Sequence, residues 1–287
     1  MRKLGDFRID RVVEYEGAFV RPEDFFPDWD PAVAEANRDW TGNIFDAKGV
    51  MRMSFHSFLV RTGRHTILVD TCFGNDKERP SRPQGHRVKT GFLDDLARAG
   101  VRPEEVDYVM CTHLHWDHVG WNTRLLDGRW VPTFPNARYI MARREYQYWD
   151  AQYAKGDRPI HSVGFGDSVL PVMRAERAVL VEDDFELQDG VWLEPCPGHT
   201  PGNVVINLRS GVTRGAFPGD VIHSPLQIAR PDWSSRARHD LALSAASRRR
   251  FLEQHADTGN VIMPAHFLAP AAGCIVRRGG AFAFAPA

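Results

Sequence analysis

Cysteine is scarce, and none of it is paired. Four thiols, Cys72, Cys111, Cys196 and Cys274, are scattered through 287 residues without a C-x-x-C pair. A disulfide framework is therefore not expected, and a reduced, cytoplasmic thiol set is. Cys111 and Cys196 are read as small buried hydrophobes. No run of 18 apolar residues occurs, which excludes a spanning helix. The opening stretch MRKLGDFRIDRVVEYEG carries charges without an apolar core, unlike a secretory signal. Neither charge sign is in excess, the formal net charge being −1. The chain thus lacks the electrostatic footprint of a nucleic-acid or membrane-surface binder. No low-complexity segment or linker divides it. At 43% hydrophobic and 25% charged residues, it has the balance of an ordinary globular protein and length enough to bury a full core.

The strand signals come in two similar sets. SFHSFLVRT (54–62) and HTILVDT (65–71) read as a hairpin around Gly63-Arg64. TGFLDDLARAG reads as a short helix with Gly100 at its end. VDYVMCT (106–112) follows as a buried strand. In the second set GVWLEPC (190–196), NVVINLR (203–209) and TRGAFPGD (213–220) read as strands. A helix around 236–257 and the short strand NVIMPAH (260–266) follow. In each set a strand pair delivers an aspartate, Asp70 or Asp220. In each, the strand after the helix delivers a histidine, His113 or His266. This is a weak internal duplication at the level of pattern. Two such halves predict an α/β protein, a four-layer α/β/β/α sandwich formed as a single domain over 1–287.

Three segments stand outside the repeat, residues 15–50, residues 121–185 and the 21 residues after His266, and the first two are expected to cover the site or form an interface. Residues 15–50 hold Phe19, Phe25, Phe26, Trp29, Trp40 and Phe45. Residues 121–185 hold a hairpin around Asp127-Gly128 and a helix with Tyr146, Trp149 and Tyr153 on one face, read as core. The run Arg248-Arg249-Arg250 is read as a solvated helix face.

The stretch THLHWDHVG, Thr112 to Gly120, holds three of the chain's 12 histidines within six positions. Side chains alternate along a strand, so His113 and His115 point the same way. From the mouth of a buried strand they can hold one ion. Asp117 and His118 follow too closely to share it and turn to a second. Imidazole and carboxylate suit zinc, and also iron, manganese or cobalt. Two ions need about seven or eight bonds to their ligands, so more donors are expected elsewhere. PCPGHTPGN places His199 in a turn, FPGDVIH places Asp220 at a strand end, and MPAHF places His266 at another.

THLHWDH, PGHTPG, GD and AH in this order, between about Ser54 and His266, resemble the metallo-β-lactamase-fold superfamily of metal-dependent hydrolases. The resemblance implies one metal held by His113, His115 and His199, and a second held by Asp117, His118 and His266. Asp220 bridges the two. It also implies that Asp70 supports the site without ligating. The cofactor expected is thus two divalent ions per chain, with zinc the expected metal. Two cations about 3.5–4 Å apart bring a bridging water to ionise near neutral pH, and the hydroxide is the expected nucleophile. Asp117 would orient it and carry its proton to the leaving group. No serine or cysteine nucleophile is needed, and no Gly-x-Ser-x-Gly elbow occurs.

Within the superfamily the resemblance narrows further. Cysteine-type zinc β-lactamases carry a thiolate where Asp220 stands, and diiron flavoproteins carry a glutamate where His115 stands. Glyoxalase II adds a long helical region, whereas 21 residues follow His266 here. Ribonuclease Z acts on RNA, for which this chain shows no basic bias. The lactonase, esterase and organophosphate hydrolase group remains. The reaction expected is hydrolysis of small carboxylic esters or lactones. Phosphotriester or phosphodiester hydrolysis, β-lactam hydrolysis and a non-catalytic metal-binding role are the alternatives. In acyl-homoserine lactonases a tyrosine lies three residues after the bridging aspartate; here that position is His223. It can donate to an oxyanion or a leaving group, or bond to backbone behind the metals. Trp116 is either core packing or a wall of the substrate pocket. A small-molecule substrate and, by analogy only, a homodimer are the partners expected.

Overall fold

The computed structural model describes residues 2–157 and 159–286. The chain forms two compact units, one of residues up to Tyr15 with Phe55–Phe185, the other of Glu16–Ser54 with Glu186 onward. Strands β1 (Arg2–Leu4), β2 (Phe7–Val20), β3 (Met51–Arg61), β4 (Thr66–Val69) and β5 (Tyr108–Met110) come first in the chain. The hairpin β6 (Thr123–Leu126) and β7 (Arg129–Pro132) follows, then β8 (Arg138–Ala142) and β9 (Ala178–Val181). One seven-stranded sheet has the order β1-β2-β3-β4-β5-β8-β9. The second comprises β10 (Glu186–Gln188), β11 (Val191–Pro195), β12 (Val204–Ser210), β13 (Thr213–Phe217), β14 (Val261–Ile262), β15 (Gly273–Arg278) and β16 (Ala281–Pro286), in sequence order. The mixed α/β class expected from the sequence is the class adopted.

The repeated pattern has a topological counterpart. β3 and β4 pair antiparallel, and β5 then joins β4 in parallel after the helix Phe92–Arg98. β12 and β13 pair antiparallel, and β14 joins β13 in parallel after the helix Leu241–His255. A parallel neighbour needs a crossover, and the intervening helix supplies it in each case. Ile67, Leu68 and Val69 of β4 and Val204, Val205, Ile206 and Leu208 of β12 are apolar and buried, as the residues of strands covered on both faces must be. The core of the first unit gathers Leu59, Leu68, Phe92, Leu96, Val109 and Tyr139. Asp127 and Gly128 both take positive φ, 49° and 75°, the geometry a two-residue hairpin turn needs.

Arg248 departs from the expected solvated face. Its neighbours Arg249 and Arg250 are exposed, but Arg248 is fully buried. Its guanidinium donates to the carbonyls of Val221, Pro231 and Trp233, at 2.8, 2.8 and 2.6 Å, and to Ser244 Oγ at 3.1 Å. Three adjacent arginines on a helix point in three directions, so one of them faces inward. Among the described residues no helix is long and apolar enough to cross a membrane.

Candidate functional site

The first cluster lies in the loop after β5. The strand ends at Met110, so His113 and His115 stand beyond it and their common direction is set by the loop, not by strand alternation. That loop is tied to the segment after β4. Thr71 N–H donates to His118 O, Gly120 N–H to Cys72 O and Trp121 N–H to Thr71 O. The approach is so close that a Cβ on Gly120 would fall 1.8 Å from Phe73 O, so only glycine fits. The rings of His113 and His118 lie 4.1 Å apart by centroid, those of His113 and His115 4.6 Å. All three are buried. His113 and His115 offer ligand atoms within 4.8 Å of each other, and so do Asp117 and His118.

Asp70, at φ +53°, turns its buried carboxylate into this loop. It accepts Thr112 N–H and Thr112 Oγ–H, both at 2.8 Å, and lies 2.9 Å from His118 Nδ1. A neutral His118 that donates from Nδ1 presents the lone pair of Nε2. His115 is flanked by Trp149 and by His161 on the helix Ile160–Ser168. The sequence reading passed over His161, which carries no ligand spacing. It also passed over Glu145, although Glu145 and Trp149 stand four apart on one helix face, a spacing that brings side chains together.

Trp116 is 3% exposed, stacks on Phe73 at 4.9 Å, and presses so closely on Gly85 and Gly164 that neither has room for a Cβ. Of the two roles open to it, packing is the one these surroundings fill. Tyr146 and Tyr153 pack on Phe165, in keeping with their core assignment.

The second cluster centres on Asp220. Gly219, at φ +54°, turns the chain after β13 and brings the buried Asp220 carboxylate inward. Three buried imidazoles converge on it. His199 Nε2 and His223 Nε2 stand 3.1 and 3.0 Å from Asp220 Oδ2, and His266 Nε2 stands 2.9 Å from Oδ1. His199 is held in a turn whose Gly198 N–H donates to Thr200 O and whose carbonyl at His199 accepts His239 N–H. His266 Nδ1 lies 3.3 Å from the carbonyl of Ser54. A carbonyl only accepts, so in the neutral form that a metal ligand requires His266 gives its single proton to this bond. Nε2 of His266 then turns a lone pair toward an anionic oxygen 2.9 Å away. Two facing lone pairs repel, and a cation between them removes the repulsion. The donor set therefore fits a divalent metal.

His223 packs its ring edge-on against Phe25, centroids 5.2 Å apart. Phe25 also meets Phe26, which lies on Trp233, and Trp29 joins Trp233 to Phe45. Phe25 is thus the residue of the 15–50 segment that touches His223, and the others continue the aromatic chain away from it. Cys111 and Cys196 are buried, and burial raises both thiols, Cys196 to about 11, in keeping with their reading as small buried hydrophobes.

The metallo-beta-lactamase superfamily model matches residues 55–266. An N-acyl homoserine lactonase from a Bacillus species is 32% identical over 193 residues, 57% of this chain and 66% of that protein. An N-acyl homoserine lactonase from Bacillus cereus is 28% identical over 163 residues, 51% of this chain and 54% of that protein. The chain thus spans between about half and two thirds of the length of these curated relatives. Among solved structures, hydrolase AbOPH of the beta lactamase superfamily superposes with a TM-score of 0.82 at 25% identity, covering 100% of this chain and 96% of that one. AidC, a dizinc quorum-quenching lactonase, gives a TM-score of 0.78 at 24% identity over the same shares. The family match covers most of the chain and contains all seven histidines and aspartates of the ligand pattern, and the chain belongs to the metallo-beta-lactamase superfamily.

Proposed function

We propose that the chain is a dinuclear metal-dependent hydrolase of small carboxylic esters or lactones. The observation that carries this reading is the convergence of His199, His223 and His266 on Asp220, with the other ring nitrogen of His266 turned to the Ser54 carbonyl. In this reading His113, His115 and His199 would hold one divalent cation and Asp117, His118 and His266 the other, with Asp220 available to both. Zinc suits such a set of imidazoles and carboxylates. When bound, the pair of cations supplies Lewis acidity and a water that ionises near neutral pH.

The side chains of the protein do the rest. Asp70 keeps the proton of His118 on Nδ1 and so keeps Nε2 available. Asp117, less buried than the histidines around it, holds and passes a proton to the leaving oxygen. His223 donates from its ring to the oxygen on which charge develops, and Phe25 beside it keeps water from that donor. A cavity of about 410 Å³ lined by Trp40, Ile44, Pro225, Phe267 and Phe284 has the volume of a small-molecule site. Two of its walls follow site residues closely in the chain, Pro225 after His223 and Phe267 after His266. The lactonase relatives support the ester or lactone class. A small-molecule substrate, a cytoplasmic setting and a homodimer belong to the same reading.

The test is a panel of lactones, aryl esters and phosphotriesters, run on protein of measured metal content. Turnover of lactones or aryl esters well above that of phosphotriesters is expected. A preference for phosphotriesters overturns the substrate class, and no turnover of any substrate by the metal-loaded chain overturns the enzyme reading.

A further inference from the structure

His161 has no place in the ligand pattern, yet its half-buried ring lies over His115, with centroids 3.8 Å apart and planes 31° from parallel. Trp149 closes another side of His115, 5.4 Å away at 69°, and lies 5.5 Å from His161. Trp149 is itself fixed. Its indole Nε1 donates to Glu145 Oε1 at 2.7 Å, and the same oxygen accepts the backbone N–H of Leu114 at 3.1 Å. Leu114 is the residue before His115, so one buried carboxylate locates both the backbone leading to His115 and the indole beside its ring.

The helix that carries His161 is anchored along its length. A Cβ on Gly164 would lie 2.7 Å from Trp116 Cβ, so the helix rests directly on the histidine loop. At its far end Asp167 takes the buried Arg79 guanidinium in two bonds of 2.7 and 2.9 Å. Paired bonds of this kind fix orientation as well as distance. A side chain borne on such a helix is held in place rather than free to swing away.

We propose that His161 is a positioning residue whose ring, tilted over His115 in close contact, limits the plane in which His115 offers its lone pair to a divalent cation. A ligand nitrogen bonds along the direction of its in-plane lone pair, so a ring free to rotate binds more weakly. His118 is oriented by a hydrogen bond that its Nδ1 donates to Asp70; the His115 ring sits in a slot made by Trp149 and His161. The inference rests on the reading of His115 as a metal ligand.

The test compares wild type, His161→Ala and His161→Phe by chelator competition with Zn2+ and by the absorption spectrum of the Co2+-loaded chain. Thermal melting of each variant confirms folding. Removing groups that orient a metal ligand typically weakens binding about 10- to 100-fold. His161→Ala is expected to weaken one of two bound ions by at least about 10-fold and to shift the Co2+ bands. His161→Phe, which keeps a flat ring, is expected to stay close to wild type in both. Wild-type affinity in His161→Ala overturns the inference, as does an equal loss in His161→Phe. A wild-type chain that binds no metal overturns the ligand reading itself, and the inference with it.

Discussion

Asp70 Oδ2 stands 2.9 Å from His118 Nδ1, and the same carboxylate takes both the backbone N–H and the hydroxyl of Thr112. One aspartate therefore sets the tautomer of a proposed ligand and the path of the loop that carries it. Asp70→Asn removes the charge and offers an N–H where an acceptor is needed. Affinity for one of two metal ions is expected to fall about 10- to 100-fold. Chelator competition on the folded variant measures this, and unchanged affinity contradicts the role.

His223 occupies the position where acyl-homoserine lactonases carry a tyrosine, and it packs on Phe25. His223→Phe keeps an aromatic ring there and removes the donor. Loss of one oxyanion donor typically costs about 100- to 1,000-fold in turnover. A fall of that order with two metals still bound is expected. Full turnover would return His223 to a purely structural place beside Asp220.

Arg248 bonds the carbonyl of Val221, directly after Asp220, as well as those of Pro231 and Trp233. Arg248→Met leaves these carbonyls without their donor. Each such loss costs about 1–3 kcal/mol, so unfolding free energy should drop by about 3 kcal/mol or more. Arg249→Ala, at an exposed position, should change it by less than about 0.5 kcal/mol. Denaturant midpoints of the two variants decide between a buried keystone and a solvated run.

Lys77 is fully buried, its Nζ 2.6 Å from Thr123 Oγ1 and 3.6 Å from the centre of the Trp130 ring. Burial lowers its ammonium from 10.5 to about 7, against the pull of Asp167. Between about pH 7 and 10.5 the folded chain holds a neutral amine while the unfolded chain still binds the proton. Unfolding takes up a proton in that window, so the contribution of Lys77 to stability rises with pH there and is flat below it. Lys77→Met lacks this dependence. The stability difference, wild type minus Lys77→Met, is expected to grow from pH 7 to pH 10 in denaturant titrations. A difference independent of pH contradicts the shift.

The ligand types were legible in the sequence because a metal demands particular atoms, and His-x-His-x-Asp-His is too specific a spacing to be neutral. The two strand-pair, helix, strand units were legible because apolar runs and their breaks repeat. What holds the ligands in place was not. Asp70 could be named from resemblance, but its bonds to Thr112 and His118 depend on a left-handed backbone at Asp70 that no composition reveals. His161 and Glu145 act through packing between segments distant in the chain. Such contacts leave no local spacing to read. Arg248 was misassigned for a related reason, since a run of three charges shows which residues are polar but not which helix face is covered. The strand alternation invoked for His113 and His115 was also not the cause of their proximity, because β5 ends before either.

The central claim is that two divalent ions, held by these histidines and aspartates, are required for hydrolysis of an ester or lactone bond. Titrating Zn2+ into the metal-depleted chain, while following lactone hydrolysis, tests it most directly. Turnover should rise from near zero and saturate at two equivalents of metal per chain. Turnover that is undiminished by metal depletion, or that saturates at one equivalent, would contradict the account.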